Sequence, residues 1–290
     1  MIEQNLISGL SMGSIYSIMA LGFALIYRGT RIFHIAHGSV FIWAGYAAYV
    51  SHVWVGVSPW MAALIAMLAG SALGMAMEWG IYRQLDKRNS NWNVLFLASL
   101  GIYIILTNVA AMLFGSAGLV LRRGAGEVYK LGTIQISQMQ VAEIVALIII
   151  AIVLYNMLHR TKEGMAIFAV CDNQQLTEAL GNDNKRTRTV IFLIASALAS
   201  LAGVLNAFDV GVNPNAGMGA VLAGAVAVMV AGRSIMGALA GGLLIGLAQS
   251  VVIIAFSAKW QEMTTFLILA LVLIFRPEGI FTIQKRSEEG

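Results

Sequence analysis

Residues 216–256 read AGMGAVLAGAVAVMVAGRSIMGALAGGLLIGLAQSVVIIAF, an apolar run of 41 residues broken only by Gly232-Arg233-Ser234. As a single helix, at ~1.5 Å per residue, it would be about 60 Å long, twice the ~30 Å hydrocarbon core of a bilayer. The run must therefore fold back. Arg233 marks the turn, because an arginine held at mid-bilayer costs roughly 2.5–3.5 kcal/mol.

The rest of the chain has the same character. Of 290 residues, 59% are hydrophobic and 11% charged, where a soluble domain carries about 25% charged residues. That excludes a soluble or disordered protein, and the single Cys171 excludes an intrachain disulfide scaffold. Unbroken apolar runs, without the ten-residue alternation of a membrane barrel, point to transmembrane helices. Such runs cover residues 6–27, 35–54, 59–81, 94–114, 141–158 and 190–208. Adding 217–231, the run after Ser234 and a short 264–275, closed by Arg276 and Pro277, makes nine. The piece 217–231 is the least defined of them. The expected fold is an all-α polytopic membrane protein of eight to nine transmembrane helices, with two broken segments in related halves, in a single domain over 1–290. Glu3 stands where a cleavable signal would be basic, so the first helix is expected to stay.

The formal net charge is +4. Its basic residues are scattered through short connections, which argues against nucleic acid and for orientation in a bilayer. With the amino terminus outside, Arg122, Arg123, Lys130 and Lys259 are the only basic residues of the outer loops, and the other fourteen of 18 lie inside. The carboxy terminus is then cytoplasmic. A re-entrant 217–231 would move the carboxy-terminal basic residues outside, which favours nine crossings.

Two connections are long enough to carry function. Residues 115–140 form an outer loop whose Gly124, Gly126 and Gly132 suit a lid or cap, and residues 159–189 form an inner loop. The two halves echo each other. Arg31-Ile-Phe-His-Ile-Ala-His-Gly38 leads into one small-residue helix, and Asp209-Val-Gly-Val-Asn-Pro-Asn-Ala-Gly217 into another. Broken segments at matching positions point to a transport path, so His34, His37, Gly38, Asn213, Pro214 and Gly217 are its candidate lining. Each has a plainer reading. His34 and His37, three apart, suit a metal or a proton on one helical face. Further ligands are lacking nearby, and capping a broken helix at the membrane boundary is the simpler role. Asn213-Pro214 is equally an ordinary outer turn. Glycines four apart, such as Gly9 with Gly13 and Gly242 with Gly246, read as close helix packing, and Asn108 and Gln249 as interhelical hydrogen-bond partners. Glu78 and Glu143, near span ends, read as solvated or paired.

Residues 165–180 are free of Pro and Gly and are flanked by Arg160, Lys162, Lys185, Arg186 and Arg188. The stretch is helix-competent but too polar to cross, so it should lie along the cytoplasmic surface. Its apolar edge, Phe168, Val170, Leu176 and Leu180, suits a partner's groove. A helix lying on lipid is the alternative, favoured by the basic flanks and opposed by Asp172 and Glu178. No Gly-x-x-x-x-Gly-Lys-Ser/Thr phosphate loop, Gly-x-Ser-x-Gly elbow or His-Glu-x-x-His pair occurs. An enzyme is not expected, nor a directly bound cofactor or metal, and energy from nucleotide hydrolysis must come from another polypeptide.

Several stretches follow one another in a specific order: Gly9-Leu-Ser-Met-Gly-Ser-Ile-Tyr16, Ala20-Leu-Gly-Phe-Ala-Leu-Ile-Tyr27, Ile35-Ala-His-Gly38, the segment 164–181, Val212-Asn-Pro214 with Gly217, Ser234-Ile-Met-Gly-Ala238, Gly241-Gly-Leu-Leu-Ile-Gly246 and Phe275-Arg-Pro-Glu-Gly-Ile-Phe281. Over nearly the whole chain this resembles the membrane subunits of bacterial branched-chain amino acid importers of the ABC type, the LivH-like permeases. The resemblance implies a permease of the cytoplasmic membrane for branched-chain or other hydrophobic amino acids. Its implied partners are a second homologous permease subunit, two cytoplasmic ATPase subunits holding ATP and Mg, and an extracytoplasmic solute-binding protein. It also implies that 165–180 is a coupling helix resting on the ATPase, with Phe168, Val170, Asp172, Asn173, Leu176, Ala179, Leu180 and Gly181 at the contact, and that the broken segments border the path. The chain departs from the family pattern at His34, where an amide is usual, at Met165 and Phe168, where arginines are common, and at Gln249, where an acid is often found. The reading from another class is a stand-alone ion- or proton-coupled carrier or channel for a small solute such as urea or an amide, using His34, His37 and Asp209.

Overall fold

The computed structural model describes residues 2–88, 90–121, 128–131, 134–232, 234–276 and 279–280. With only three prolines in the chain, helices run long. α1 spans Ile2–Thr30; α2 spans His37–Tyr49 and continues through a π turn, Val50–Trp54. α3 spans Pro59–Met77 and runs through a second π turn, Glu78–Tyr82, into α4, Arg83–Lys87. Its start is set by Pro59 in the first turn and by Ser58, whose hydroxyl accepts from the Met61 N–H. α5 is Trp92–Phe114. An antiparallel hairpin follows, β1 Val128–Leu131 with β2 Ile134–Ser137, and it qualifies the all-α expectation. Then come α6 Gln138–Arg160, α7 Lys162–Asp172, α8 Gln174–Ala179, α9 Asn184–Asp209, α10 Ala216–Ala231, α11 Ile235–Ala255 and α12 Gln261–Phe275.

Among the described residues, seven helices are long and apolar enough to cross a membrane. They are α1, α3 with α4, α5, α6, α9, α11, and α12 with the turn before it. Two expected spans are not among them: α2, with 13 residues before its π turn, and α10, with 16. The long apolar run does fold back, between the end of α10 at Ala231 and the start of α11 at Ile235. Gly232 takes φ 67° there, and Ser234 caps α11 by accepting from the Gly237 N–H. Arg233 itself, like Arg122, Arg123, Gly124, Gly126, Gly132 and Pro277, lies outside the described residues.

The helices pack in reciprocal pairs. α1 packs on α11 as α9 packs on α3, α2 on α9 as α10 on α1, α2 on α3 as α10 on α11, and α2 on α5 as α10 on α12. Exchanging α1, α2, α3 and α5 for α9, α10, α11 and α12 returns these four pairings, with α6–α8 inserted between the two groups, although α11 packs on α12 without a matching α3–α5 contact. Within the central pair, Gly22 faces Ala195 while Gly29 faces Ile191, so α1 and α9 run in opposite directions. The expected glycine packing is here: Gly9 and Gly13 of α1 lie against Ser250, Gly246 and Leu243 of α11, and Gly242 against Ser17. Lipid offers little hydrophobic drive between helices, so this close backbone approach supplies the packing energy.

Candidate functional site

Both short helices begin after a break that turns the chain back into the bundle. After α1, Arg31 adopts φ 59°, and the segment that follows returns far enough for the His37 ring to sit against Gly22, eight residues before the helix end. After α9, Gly211 adopts φ 97°, Val212 exchanges two 2.9 Å backbone hydrogen bonds with Leu119, and the Asn213 side chain accepts from the Asn215 N–H at 3.0 Å. Leu119 thus ties the connection after α5 to the second break. The two breaks meet at their glycines. A Cβ on Gly38 would lie 2.6 Å from the Gly217 carbonyl oxygen, and one on Gly217 would strike the Gly38 carbonyl and the Ile42 side chain. Only two glycines permit α2 and α10 to cross this closely.

The first break is packed solid. His34 and His37 are fully buried, with ring centroids 5.6 Å apart. His34 Nδ1 pairs with the Tyr82 hydroxyl at 2.8 Å, and its ring meets Phe192 edge-on at 5.5 Å. The Ala36 N–H donates to Ser99 Oγ at 3.0 Å. The histidines do not cap α2, contrary to the simpler expectation: the N-cap residue is Ala36, without a side-chain cap bond, and both rings point into the core. Among the described residues no three His, Cys, Asp or Glu side chains come together as a metal site. Glu78 is buried and paired with Arg188 at 2.7 Å, and Arg188 also reaches Asp86 at 3.2 Å. Arg188 therefore belongs to the buried start of α9, not to a solvated inner loop.

The second break faces open, polar space. A cavity of about 250 Å³ lies between α1, α6, α9 and the start of α10, with Ser8, Ser11, Glu143, Asn206 and Asp209 in its wall. A second, of about 210 Å³, shares Tyr16 and Gly219 with it and is walled by Gln249, Gln261, Glu262 and Thr265. Gln249 joins two helices as expected: its amide donates to Thr265 Oγ1 at 2.7 Å and its carbonyl accepts from Gln261 at 3.1 Å. Asn108 does not; it is exposed and donates to the Ile104 carbonyl of its own helix. A third and larger space, about 510 Å³, is an apolar groove between α2, α3 and α5.

None of the six path candidates lines either polar cavity. His34, His37, Gly38, Pro214 and Gly217 are buried in or beside the breaks, and Asn213 is half-buried. The residue missed by sequence reasoning is Glu143. It read as a span-end carboxylate because its span was started at 141, whereas a capping box between Ser137 and Gln140 begins α6 three residues earlier. Glu143 is fully buried; Ser11 Oγ donates to its Oε2, and its Oε1 has no partner. The available signal was a lone carboxylate in an apolar run, opposite Ser8 and Ser11 spaced three apart on α1.

The connection between α6 and α9 holds two helices, not one. Asn173 is extended, at φ −151°, and caps α8 by accepting from the Leu176 N–H, so the expected rod over 165–180 breaks there. Val170 is buried and Phe168 half-buried, edge-on to His159, which removes both from the expected exposed edge. Leu176 (56% exposed) and Leu180 (80%) project outward, and Asp172, Asn173, Ala179 and Gly181 are exposed beside them. Cys171 is buried, and that burial pushes its thiol up to about 11 despite Arg28 and Arg31 nearby.

Residues 5–275 match the family described as branched-chain amino acid transport system / permease component. The chain is 30% identical to the high-affinity branched-chain amino acid transport system permease protein BraD of Pseudomonas aeruginosa, over 96% of this chain and 94% of that one. It is 26% identical to the corresponding permease LivH of Escherichia coli K12, with the same shares covered. Its fold is similar to that of PsaBC from Streptococcus pneumoniae, solved in complex with Fab, with a TM-score of 0.52 at 12% identity over 95% of this chain and 92% of that one. The chain belongs to the family of permease components of branched-chain amino acid transport systems, multi-pass membrane subunits of ABC importers whose ATPase is a separate polypeptide.

Proposed function

We propose that this chain carries branched-chain or other hydrophobic amino acids across the bacterial cytoplasmic membrane, paired with a second homologous permease subunit. Two cytoplasmic ATPases holding ATP and Mg would drive it, and an extracytoplasmic binding protein would deliver the solute. The match over residues 5–275 carries this reading. The names of the relatives supply the substrate class.

The crossing count follows from where the short helices start. Gly219 borders the same cavities as Tyr16, the midpoint of α1, so α10 begins near mid-membrane and descends beside Met19 and Ala20. α2 begins at the same level and runs the other way, with Gly45 against Gly203 and Val212. Each break therefore supplies the non-helical half of one crossing, which non-helical backbone at membrane depth permits only where it is covered by protein or lines a cavity. Seven full helices and two such discontinuous ones make nine crossings, with the amino terminus outside, the carboxy terminus in the cytoplasm, 115–140 an outer cap and 159–189 the coupling loop.

ATP-driven motion of the ATPases would be received by α7 and α8 and passed to α9, which α7 and α8 both touch and Arg186 pins to Glu163 at 2.6 Å. Phe168 and Val170 would transmit force inward, while Asp172, Asn173, Leu176, Ala179, Leu180 and Gly181 meet the partner. Replacing Leu176 and Leu180 together by Asp tests this. Membrane insertion should persist, because exposed substitutions usually change stability by no more than about 0.5 kcal/mol, and copurification of the ATPase should vanish. Unchanged copurification removes the coupling assignment. Uptake by the reconstituted chain alone, driven by an ion gradient without ATPase, removes the importer reading.

A further inference from the structure

The 250 Å³ cavity is anionic on one wall and apolar on another. Glu143 and Asp209 both face it, and no Lys, Arg or His lines it or the adjoining cavity. Glu143 is fully buried, and its Oε1 is left without a partner while Oε2 is held by Ser11. A buried carboxylate oxygen with no donor is costly unless a cation or a donor occupies the space before it. Ala216 and Gly219 of the same lining bring up the first turn of α10, whose N–H groups have no acceptors within the helix and which carries the positive end of its dipole. Met12, Ile15, Phe41 and Ala220 form the apolar part of the wall. The volume is below the roughly 300–1,000 Å³ of sites for drug-sized ligands, so the occupant is small.

We infer that this cavity is a station for a single zwitterionic amino acid within one permease subunit, its ammonium group held by Glu143 and Asp209, its carboxylate at the α10 N-terminus and its side chain against Ile15 and Phe41. The inference rests on the amino acid reading above and deepens it. Two carboxylates and the positive end of a helix line the same small cavity, which suits a zwitterion better than a simple cation. The site is half of the path that the second break leaves open.

The test uses the purified full chain in detergent and its thermal unfolding with L-leucine, with 3-methylbutylamine, which lacks the carboxylate, and with 4-methylpentanoate, which lacks the amine. L-Leucine should raise the Tm of the wild type, the amine should do so more weakly, and the acid should not. E143Q keeps the Ser11 hydrogen bond and should raise the half-maximal leucine concentration at least tenfold. D209N, at an exposed position, should raise it severalfold and carries the test if E143Q does not fold. No leucine shift in the wild type, an equal shift in D209N, or the acid acting as well as the amine overturns the site. Leucine uptake by the assembled importer without any protection of the isolated chain overturns the site and leaves the importer reading standing. Protection lost in E143Q, with no leucine uptake by the assembled importer, supports the site and overturns the importer reading.

Discussion

The two breaks are built alike and filled differently. Each returns the chain to mid-bundle, each starts a short helix, and the two helices touch at Gly38 and Gly217. Around the first, aromatic and imidazole rings of His34, Phe23, Tyr82, Phe192 and His37 close the space, and a buried Glu78–Arg188 pair lies nearby. Around the second, the corresponding space holds two polar cavities and a carboxylate with one oxygen unpartnered. Related backbones thus give a packed plug around one break and a hollow vestibule around the other.

Three substitutions, two of them with a companion change, break or sharpen that contrast. Gly217→Leu should do the most damage, because the new side chain meets the Gly38 backbone, which cannot swing aside, a clash beyond the ~1–3 kcal/mol of ordinary overpacking. No folded peak should survive size exclusion, whereas Gly219→Ala, two residues on and facing open space, should fold normally. Equal behaviour of the two would dissolve the crossing. Arg188→Ala should cost about 3–5 kcal/mol by leaving Glu78 buried and unpaired, and adding Glu78→Gln should recover part of the lost Tm. Tyr82→Phe should cost about 1–3 kcal/mol by orphaning His34 Nδ1 in the plug. Its leucine protection should match the wild type, since the vestibule lies on the other break; a large loss would mean the two breaks are not separable.

The smallest effect is kinetic and lies outside both breaks. With its thiol pushed up to about 11, Cys171 stays protonated at pH 8, about a thousandth being thiolate. Maleimide should label it slowly, with a rate still rising above pH 9, whereas a cysteine introduced by Leu180→Cys should react fast. Rapid labelling of Cys171 would show that α7 leaves its packing against α1.

The seven membrane-length helices, the fold-back after residue 231 and the pairing of two polar interruptions were legible in the residues, because in lipid an unbroken apolar length and a charge at its end dictate where a helix starts and stops. Gln249 was legible as a link between helices for the same reason: an amide in hydrocarbon must find a partner. The sites on those elements were less so. His34 and His37 stood out by spacing, yet spacing does not say whether a ring faces a cavity or a neighbouring ring. Glu143 was passed over because a capping box three residues upstream moved the helix start. The rod over 165–180 looked continuous because Asn173 is an acceptable helix residue by propensity, and it becomes a cap only once Leu176 offers it a backbone N–H.

The chain by itself determined that this is a bundle of membrane helices with two interruptions and a polar connection over 159–189, since hydrophobic length and charge are local properties that each segment carries alone. Which interruption is sealed and which is hollow was decided by tertiary structure. That outcome depends on what α5, α6 and α12 place beside each break, and on a contact between glycines 179 positions apart that no local pattern encodes.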